Sequence, residues 1–150
     1  MASGEWRAKR KQVAETAKPK HKDLLIWQRG MGLAKLIYRL AVNFPSEERY
    51  GLTSQLRRAA VSVPSNIAEG QARQGTREFV QFLSHAQGSL AELETQLLLS
   101  IELDFAQKSD VDRPLQEIDE LQKMIVGLKR KLSLYSPLAT RHSPLPPRAH

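Results

Sequence analysis

Residues 79–101 read FVQFLSHAQGSLAELETQLLLSI, and apolar side chains recur in them at every third or fourth position. This spacing places them on one face of an α-helix, because a helix turns once in about 3.6 residues. The predicted core face consists of Phe79, Leu83, Ala86, Leu90, Leu93, Leu97 and Ile101. The stretch therefore predicts a long amphipathic helix with one apolar face to bury.

Three other segments show the same periodicity, and none of the chain shows the sustained alternation of a β-strand. The first covers about residues 23–43 and the second about 53–72. The last begins at Ser109 or Asp110, with Pro114 tolerable in its first turn. Because the connections are short, neighbouring helices should be antiparallel. The sequence predicts an all-α fold, an antiparallel up-down-up-down four-helix bundle.

The first helix should begin after Asp23, which is a candidate N-cap. Its predicted core face consists of Leu24, Trp27, Met31, Ala34, Tyr38 and Ala41.

The second helix contains a proline within VSVPSNIAEGQAR, residues 61–73. Proline inside a helix removes one backbone donor and clashes with the carbonyl four residues back. Apolar spacing continues on both sides, so we expect the helix to continue through Pro64, to bend there, and to leave the carbonyl of Ala60 free.

Charge divides the chain into three predicted regions. Of the formal net charge of +7, most lies in a basic N-terminal tail, residues 1–22, which holds seven basic and two acidic side chains. Residues 135–150 form a Pro-rich C-terminal tail, and residues 23–134, the bundle, carry equal numbers of acidic and basic groups. Both tails are predicted to be disordered or extended.

Composition also limits the function. The chain has no cysteine and no apolar run long enough to span a membrane, so we expect a cytoplasmic protein without a membrane partner. No nucleotide-binding or metalloprotease motif is present, and His85 is the only histidine of the predicted bundle. We predict no catalytic residue, no metal and no cofactor, and hence no enzyme.

A polar stripe flanks the apolar face on each of the two middle helices. A hairpin that turns near Gln74 would align the two stripes and place Glu92 and Glu94 to receive Arg57 or Arg58. The stripes then form either a polar seam inside one bundle or an interface between subunits, and both interpretations stay open. Their residues are Gln55, Ser62, Asn66, Glu69, His85, Ser89, Glu92 and Gln96.

Two runs carry a family resemblance: RRAAVSVPSNIAEGQAR, residues 57–73, and EFVQFLSHAQGSLAELETQL, residues 78–97. They resemble a bacterial family of four-helix-bundle proteins encoded in intervening sequences of large-subunit ribosomal RNA genes, over about residues 22–134. The resemblance implies a homo-oligomer, a ring-shaped pentamer. A distant branch is similar to the accessory variability determinant of diversity-generating retroelements, which implies nucleic acid and a reverse transcriptase as partners.

The expected function is therefore a non-enzymatic, homo-oligomeric accessory protein that binds RNA or DNA. The alternative is a protein-interaction scaffold with no direct nucleic-acid role. Phosphate contacts are predicted for basic residues of the N-terminal tail and around the second helix, because such groups displace counterions. The candidates are Arg7, Lys9, Arg10, Lys11, Lys18, Lys20, Lys22, Arg49, Arg57, Arg58, Arg73 and Arg77.

Overall fold

Residues 21–135 are described by a computed structural model, and they form four α-helices. Two short 3₁₀ turns, His21–Asp23 and Ser46–Glu48, precede the first and second helices. The all-α prediction is confirmed, while nearly all of the two predicted tails, residues 1–20 and 136–150, lies outside the described residues. The helices are α1, Leu25–Ala41; α2, Leu52–Ala72; α3, Thr76–Glu102; and α4, Lys108–Tyr135.

The helices form a closed, antiparallel bundle. Each packs against the next in sequence, α4 also packs against α1, and within residues 21–135 the diagonal pairs make no close backbone contact. The proximal end of the bundle holds His21, the Arg73–Gly75 connection and Tyr135. The distal end holds the connections between α1 and α2 and between α3 and α4.

The core confirms the predicted face of α3 but corrects that of α1. Leu83, Ala86, Leu90, Leu93 and Leu97 are all fully buried. On α1, however, the predicted core residues Met31 and Tyr38 are 38% and 42% exposed. The fully buried face of α1 consists instead of Ile26, Gly30, Leu33, Ile37 and Ala41. Of the predicted set, Ala41 is buried, and Leu24, Trp27 and Ala34 are half-buried against the core.

Helix α2 continues unbroken through Pro64, as predicted. The ring is buried against α1, where a Cβ built on Gly30 would lie 3.6 Å from the Cβ of Pro64. The proline therefore forms part of the contact between α1 and α2. The bend and the free carbonyl of Ala60 stay predictions.

Two helix starts differ from expectation. Asp23 does not cap α1, because it lies in the preceding 3₁₀ turn and Leu24 occupies the N-cap position without a side-chain hydrogen bond. Helix α4 begins at Lys108, which places the buried Pro114 in the second turn rather than the first. Asp110 accepts a hydrogen bond from the backbone N–H of Gln107 at 3.1 Å and thereby stabilises this start.

Helices α2 and α3 approach each other closely near the proximal end, at Gly70. A Cβ on this buried glycine would lie 2.6 Å from the Cβ of Phe82 and 2.9 Å from Cδ2 of Phe79. Contacts below 3.0 Å essentially never occur for real Cβ atoms. The absence of a side chain at Gly70 is therefore what permits the observed separation of α2 and α3.

Candidate nucleic-acid interface and polar seam

A chain of hydrogen bonds connects α2 to α3 halfway along the bundle. The amide Nδ2 of Asn66 donates to the carbonyl and to Oγ of Ser62, at 2.7 and 2.9 Å. The hydroxyls of Ser62 and Ser89 lie 2.7 Å apart, and Ser89 Oγ donates to the carbonyl of His85 at 3.2 Å. Because the one proton of Ser89 is used on His85, the hydroxyl of Ser62 must donate to Ser89. The four residues form one directed polar chain.

An ion pair extends these contacts toward the distal end. Arg58 pairs with Glu92, as the aligned stripes predict, and Gln96 Nε2 donates to Oε1 of Glu92 at 3.2 Å. Gln96 is 5% exposed, and its Oε1 has no hydrogen-bond partner among the described residues. We call Arg58, Ser62, Asn66, Ser89, Glu92 and Gln96 the polar seam. It connects α2 and α3 within one chain, and Arg58 lies at its exposed edge.

The other predicted members of the stripes lie outside the seam. Gln55 is exposed, and Glu69 pairs within its own helix with Arg73 at 3.3 Å. His85 contributes only its carbonyl, since its exposed ring rests edge-on against Phe82. An interface role for these three residues stays a prediction.

The arginines predicted to contact nucleic acid within the bundle are not all brought together, since only Arg73 and Arg77 lie at the same end. Arg49 lies at the distal end, with its guanidinium 5.6 Å from the ring of Tyr50, whereas Arg77 begins α3 at the proximal end. Arg57 is half-buried over the ring of Tyr38, 5.2 Å from its centroid. Arg58 is engaged in the seam.

Further basic residues, on α4, lie toward the proximal end. Antiparallel packing brings the last turns of α4 beside the start of α3, so that the run Lys129–Arg130–Lys131 lies near this end. Lys129 is held by Gln87, to whose Oε1 it donates at 2.8 Å, while the next two residues are exposed. We call Lys22, Arg73, Arg77, Arg130 and Lys131 the basic end.

The contribution of α4 to the basic end was not predicted from the sequence, although residues 129–131 read KRK, a run of three basic residues. Acidic groups at this end are Asp23, Glu69 and Glu78. Of these, Glu69 forms an ion pair with Arg73. Residues 1–20 join the described chain here, and they contain six predicted contacts that lie outside the described residues: Arg7, Lys9, Arg10, Lys11, Lys18 and Lys20. The distal end has the opposite balance, with Glu47, Glu48, Glu102, Asp104, Asp110 and Asp112 against Arg49, Lys108 and Arg113.

An apolar groove of about 560 Å³ runs along the outside of the bundle between α1 and α2. It exists because α1 carries two apolar faces, of which only one is buried in the core. We call it the α1–α2 groove; its principal lining residues are Trp27, Met31, Ala34, Tyr38, Val61 and Pro64, with Lys35 and Arg39 also bordering it.

Residues 21–135 contain neither a metal-binding cluster nor a membrane-spanning helix. No group of three or more His, Asp or Glu side chains in this range is placed to hold a metal ion. None of the described helices is both long and apolar enough to cross a membrane.

Comparisons with known proteins agree with this architecture. Residues 22–127 match the family described as 23S rRNA-intervening sequence protein. Among solved structures, the chain is similar to a protein of unknown function from the S23 ribosomal protein family of Bacteroides thetaiotaomicron, with a TM-score of 0.64 and 20% identity. That match covers 71% of this chain and 99% of the other, and at this identity it shows the fold alone. No curated protein matches significantly.

Proposed function

Because the chain belongs to the 23S rRNA-intervening sequence protein family, we propose that it is a non-enzymatic, homo-oligomeric accessory protein that binds RNA or DNA through its basic end. The observation that carries the proposal is that exposed basic groups of α2, α3 and α4 lie toward the end of the bundle at which the basic segment 1–20 joins it. The bundle as a whole has no charge excess, so the position of the charges supplies the argument.

Binding at this end would be electrostatic and largely independent of sequence. Each phosphate neutralised by a lysine or arginine releases condensed counterions, so affinity falls with salt. The expected slope of log affinity against log salt is about −0.9 per contact on double-stranded DNA and about −0.7 on a single strand. Self-association would raise the number of contacts, because each copy adds another basic end.

The test replaces three exposed basic residues, Arg77, Arg130 and Lys131, with glutamine in the full-length chain. Fluorescence anisotropy with a labelled RNA hairpin, a single strand and a DNA duplex measures affinity over a range of salt concentrations. We expect the salt slope to become shallower by about 2 to 3, since three phosphate contacts are lost. Neutralising the six basic residues of segment 1–20 should weaken binding further.

A matched control removes the same charge from the distal end, through Arg49→Gln, Lys108→Gln and Arg113→Gln. This triple variant should bind nearly as the unmodified protein does. Equal losses in the two triple variants would show a nonspecific charge effect and contradict a site at the basic end. No salt-dependent binding by the unmodified protein would refute the proposal itself.

The proposal includes a pentameric stoichiometry and, as protein partner, a reverse transcriptase, both of which the family resemblance implies. It also includes a cytoplasmic location, which the composition of the chain favours. The second candidate is a protein-interaction scaffold with no nucleic-acid role, and the exposed α1–α2 groove favours it. Copurification of a reverse transcriptase from the native source, together with a negative anisotropy result, would support the scaffold.

A further inference from the structure

We propose that the α1–α2 groove of one copy receives an exposed leucine ridge from α3 of a second copy. This inference deepens the self-association in the proposed function by naming its two surfaces. It concerns residues outside the basic end and the polar seam.

The groove side of the contact is apolar and rimmed by positive charge. Met31, Tyr38 and Val61 are 38%, 42% and 44% exposed, which is high for large apolar side chains that border one concavity. Lys35 and Arg39 lie on its α1 side, and neither forms an ion pair with any of residues 21–135. Helix α1 contains no acidic residue, so nothing on it offsets these charges.

The ridge side has the opposite charge. Leu98, Leu99 and Leu103, at the distal end of α3, are 47%, 44% and 48% exposed. Glu94 and Glu102 lie four residues to either side of Leu98, and residues at this spacing are neighbours on a helix surface. Within the described residues neither glutamate has an ion-pair partner. Helix α3 has no lysine or arginine after its second residue, so this half is acidic.

Charge decides how two copies meet. If two copies met through their grooves, Lys35 and Arg39 of one copy would face the same residues of the other. If they met through their ridges, Glu94 and Glu102 would face each other in the same way. Like charges that face each other across an interface cost several kcal/mol in general. Groove against ridge pairs opposite charges around two apolar surfaces and is therefore the favoured contact.

The two surfaces are on different helices, so the contact is heterologous. Each copy can use its groove with one neighbour and its ridge with another, which produces a closed ring or an open filament. The Pro-rich segment 136–150 is a less suitable occupant, because its Arg141 and Arg148 would face Lys35 and Arg39. A nucleic acid is also disfavoured, since the lining is mostly apolar.

Complementary variants test the proposal in full-length protein. Val61→Glu introduces a carboxylate only into the groove, and Leu98→Glu introduces one only into the ridge. Both positions are partly exposed, so each variant should fold. Sedimentation velocity should show each variant alone near the monomer mass of 17.0 kDa, with self-association weakened at least about 100-fold. An equimolar mixture should give a species of twice that mass, because one intact groove then meets one intact ridge.

Val126→Glu serves as the matched control, since Val126 is 46% exposed on α4 and lies outside both surfaces. This variant should assemble like the unmodified protein, and circular dichroism should show that all three variants are folded. Assembly by either single variant, a monomeric unmodified protein, or a mixture without the paired species would overturn the proposal. So would a Val61→Glu protein that assembles normally but loses nucleic-acid binding, because the groove would then bind nucleic acid.

The two proposals fail separately. If the unmodified protein assembles and the mixture pairs but no anisotropy change is seen, nucleic-acid binding is refuted and the groove contact stands. If salt-dependent binding is lost in the basic-end variant while Val61→Glu still assembles, the groove contact is refuted alone.

Discussion

Replacing Gly70 with alanine tests how closely α2 and α3 approach. The added Cβ would lie 2.6 Å from the Cβ of Phe82, whereas carbon atoms at their optimal separation are about 3.5 to 4.0 Å apart. The Cβ of Phe82 is fixed to the backbone of α3, so rotation of the side chain cannot relieve the clash. The two helices must therefore separate locally by about 1 Å.

The magnitude follows from two opposing effects. Overpacking of this kind costs about 1–3 kcal/mol, while replacing a glycine inside a helix with alanine gains about 1 kcal/mol. We expect a net loss of up to about 2 kcal/mol and a Tm lower by up to roughly 6 °C, measured by circular dichroism. Samples must have the same protein concentration, because self-association would couple to stability.

Gly88→Ala is the matched control, because Gly88 lies inside α3 and a Cβ there meets nothing within 4 Å. Because alanine has the higher helix propensity and no clash opposes this gain, the variant should be more stable than the unmodified protein by about 1 kcal/mol. Opposite signs for the two substitutions are the expected result. A Gly70→Ala protein that gains as much stability as Gly88→Ala would refute the close approach.

Three further predictions concern polar contacts, each measured by urea denaturation. Gln96→Leu should leave stability unchanged or raise it by up to about 1 kcal/mol, because the buried Oε1 has no partner among the described residues; a loss above about 2 kcal/mol would contradict this. Ser62→Ala and Ser89→Ala should each cost about 1 kcal/mol, and a double-mutant cycle that gives no coupling would contradict the hydrogen bond between them. Glu117→Gln should cost less than about 1 kcal/mol and lose its effect in high salt, since the pair with Arg29 at 3.1 Å is about one-third exposed; a salt-independent cost would indicate that packing matters instead.

The buried face of α3 was predictable because its apolar residues keep to one face along the whole helix, whereas Leu98 and Leu99 lie off that face only at the distal end. Helix α1 has two apolar faces, one with Trp27 and Tyr38 and one with Leu33 and Ile37, and periodicity alone does not choose between them. The choice depends on tertiary contacts, among them the packing of Gly30 against Pro64. The prediction took the face with the larger aromatic residues, and that face borders the groove.

The positions of the charged residues were also predictable only in part from the sequence. Arg49 and Arg73 are close in sequence, yet α2 separates them by its length, about 30 Å for 21 residues. Conversely, Arg130 is far from Arg77 in sequence and lies at the same end, because α3 and α4 are antiparallel. The pairing of Arg58 with Glu92 was predictable, since a hairpin with a short connection aligns its helices within a few residues.

Both segments outside the described residues join the bundle at the proximal end, and the distal connection between α3 and α4 offers a point for chemical attachment. The chain has no cysteine, and Gln107 is exposed in the distal connection between α3 and α4. A Gln107→Cys protein would therefore carry one thiol, about 40 Å from the basic end along α3, a helix of 27 residues. Immobilisation through this thiol would present every molecule to solution in one orientation, with the basic end outward.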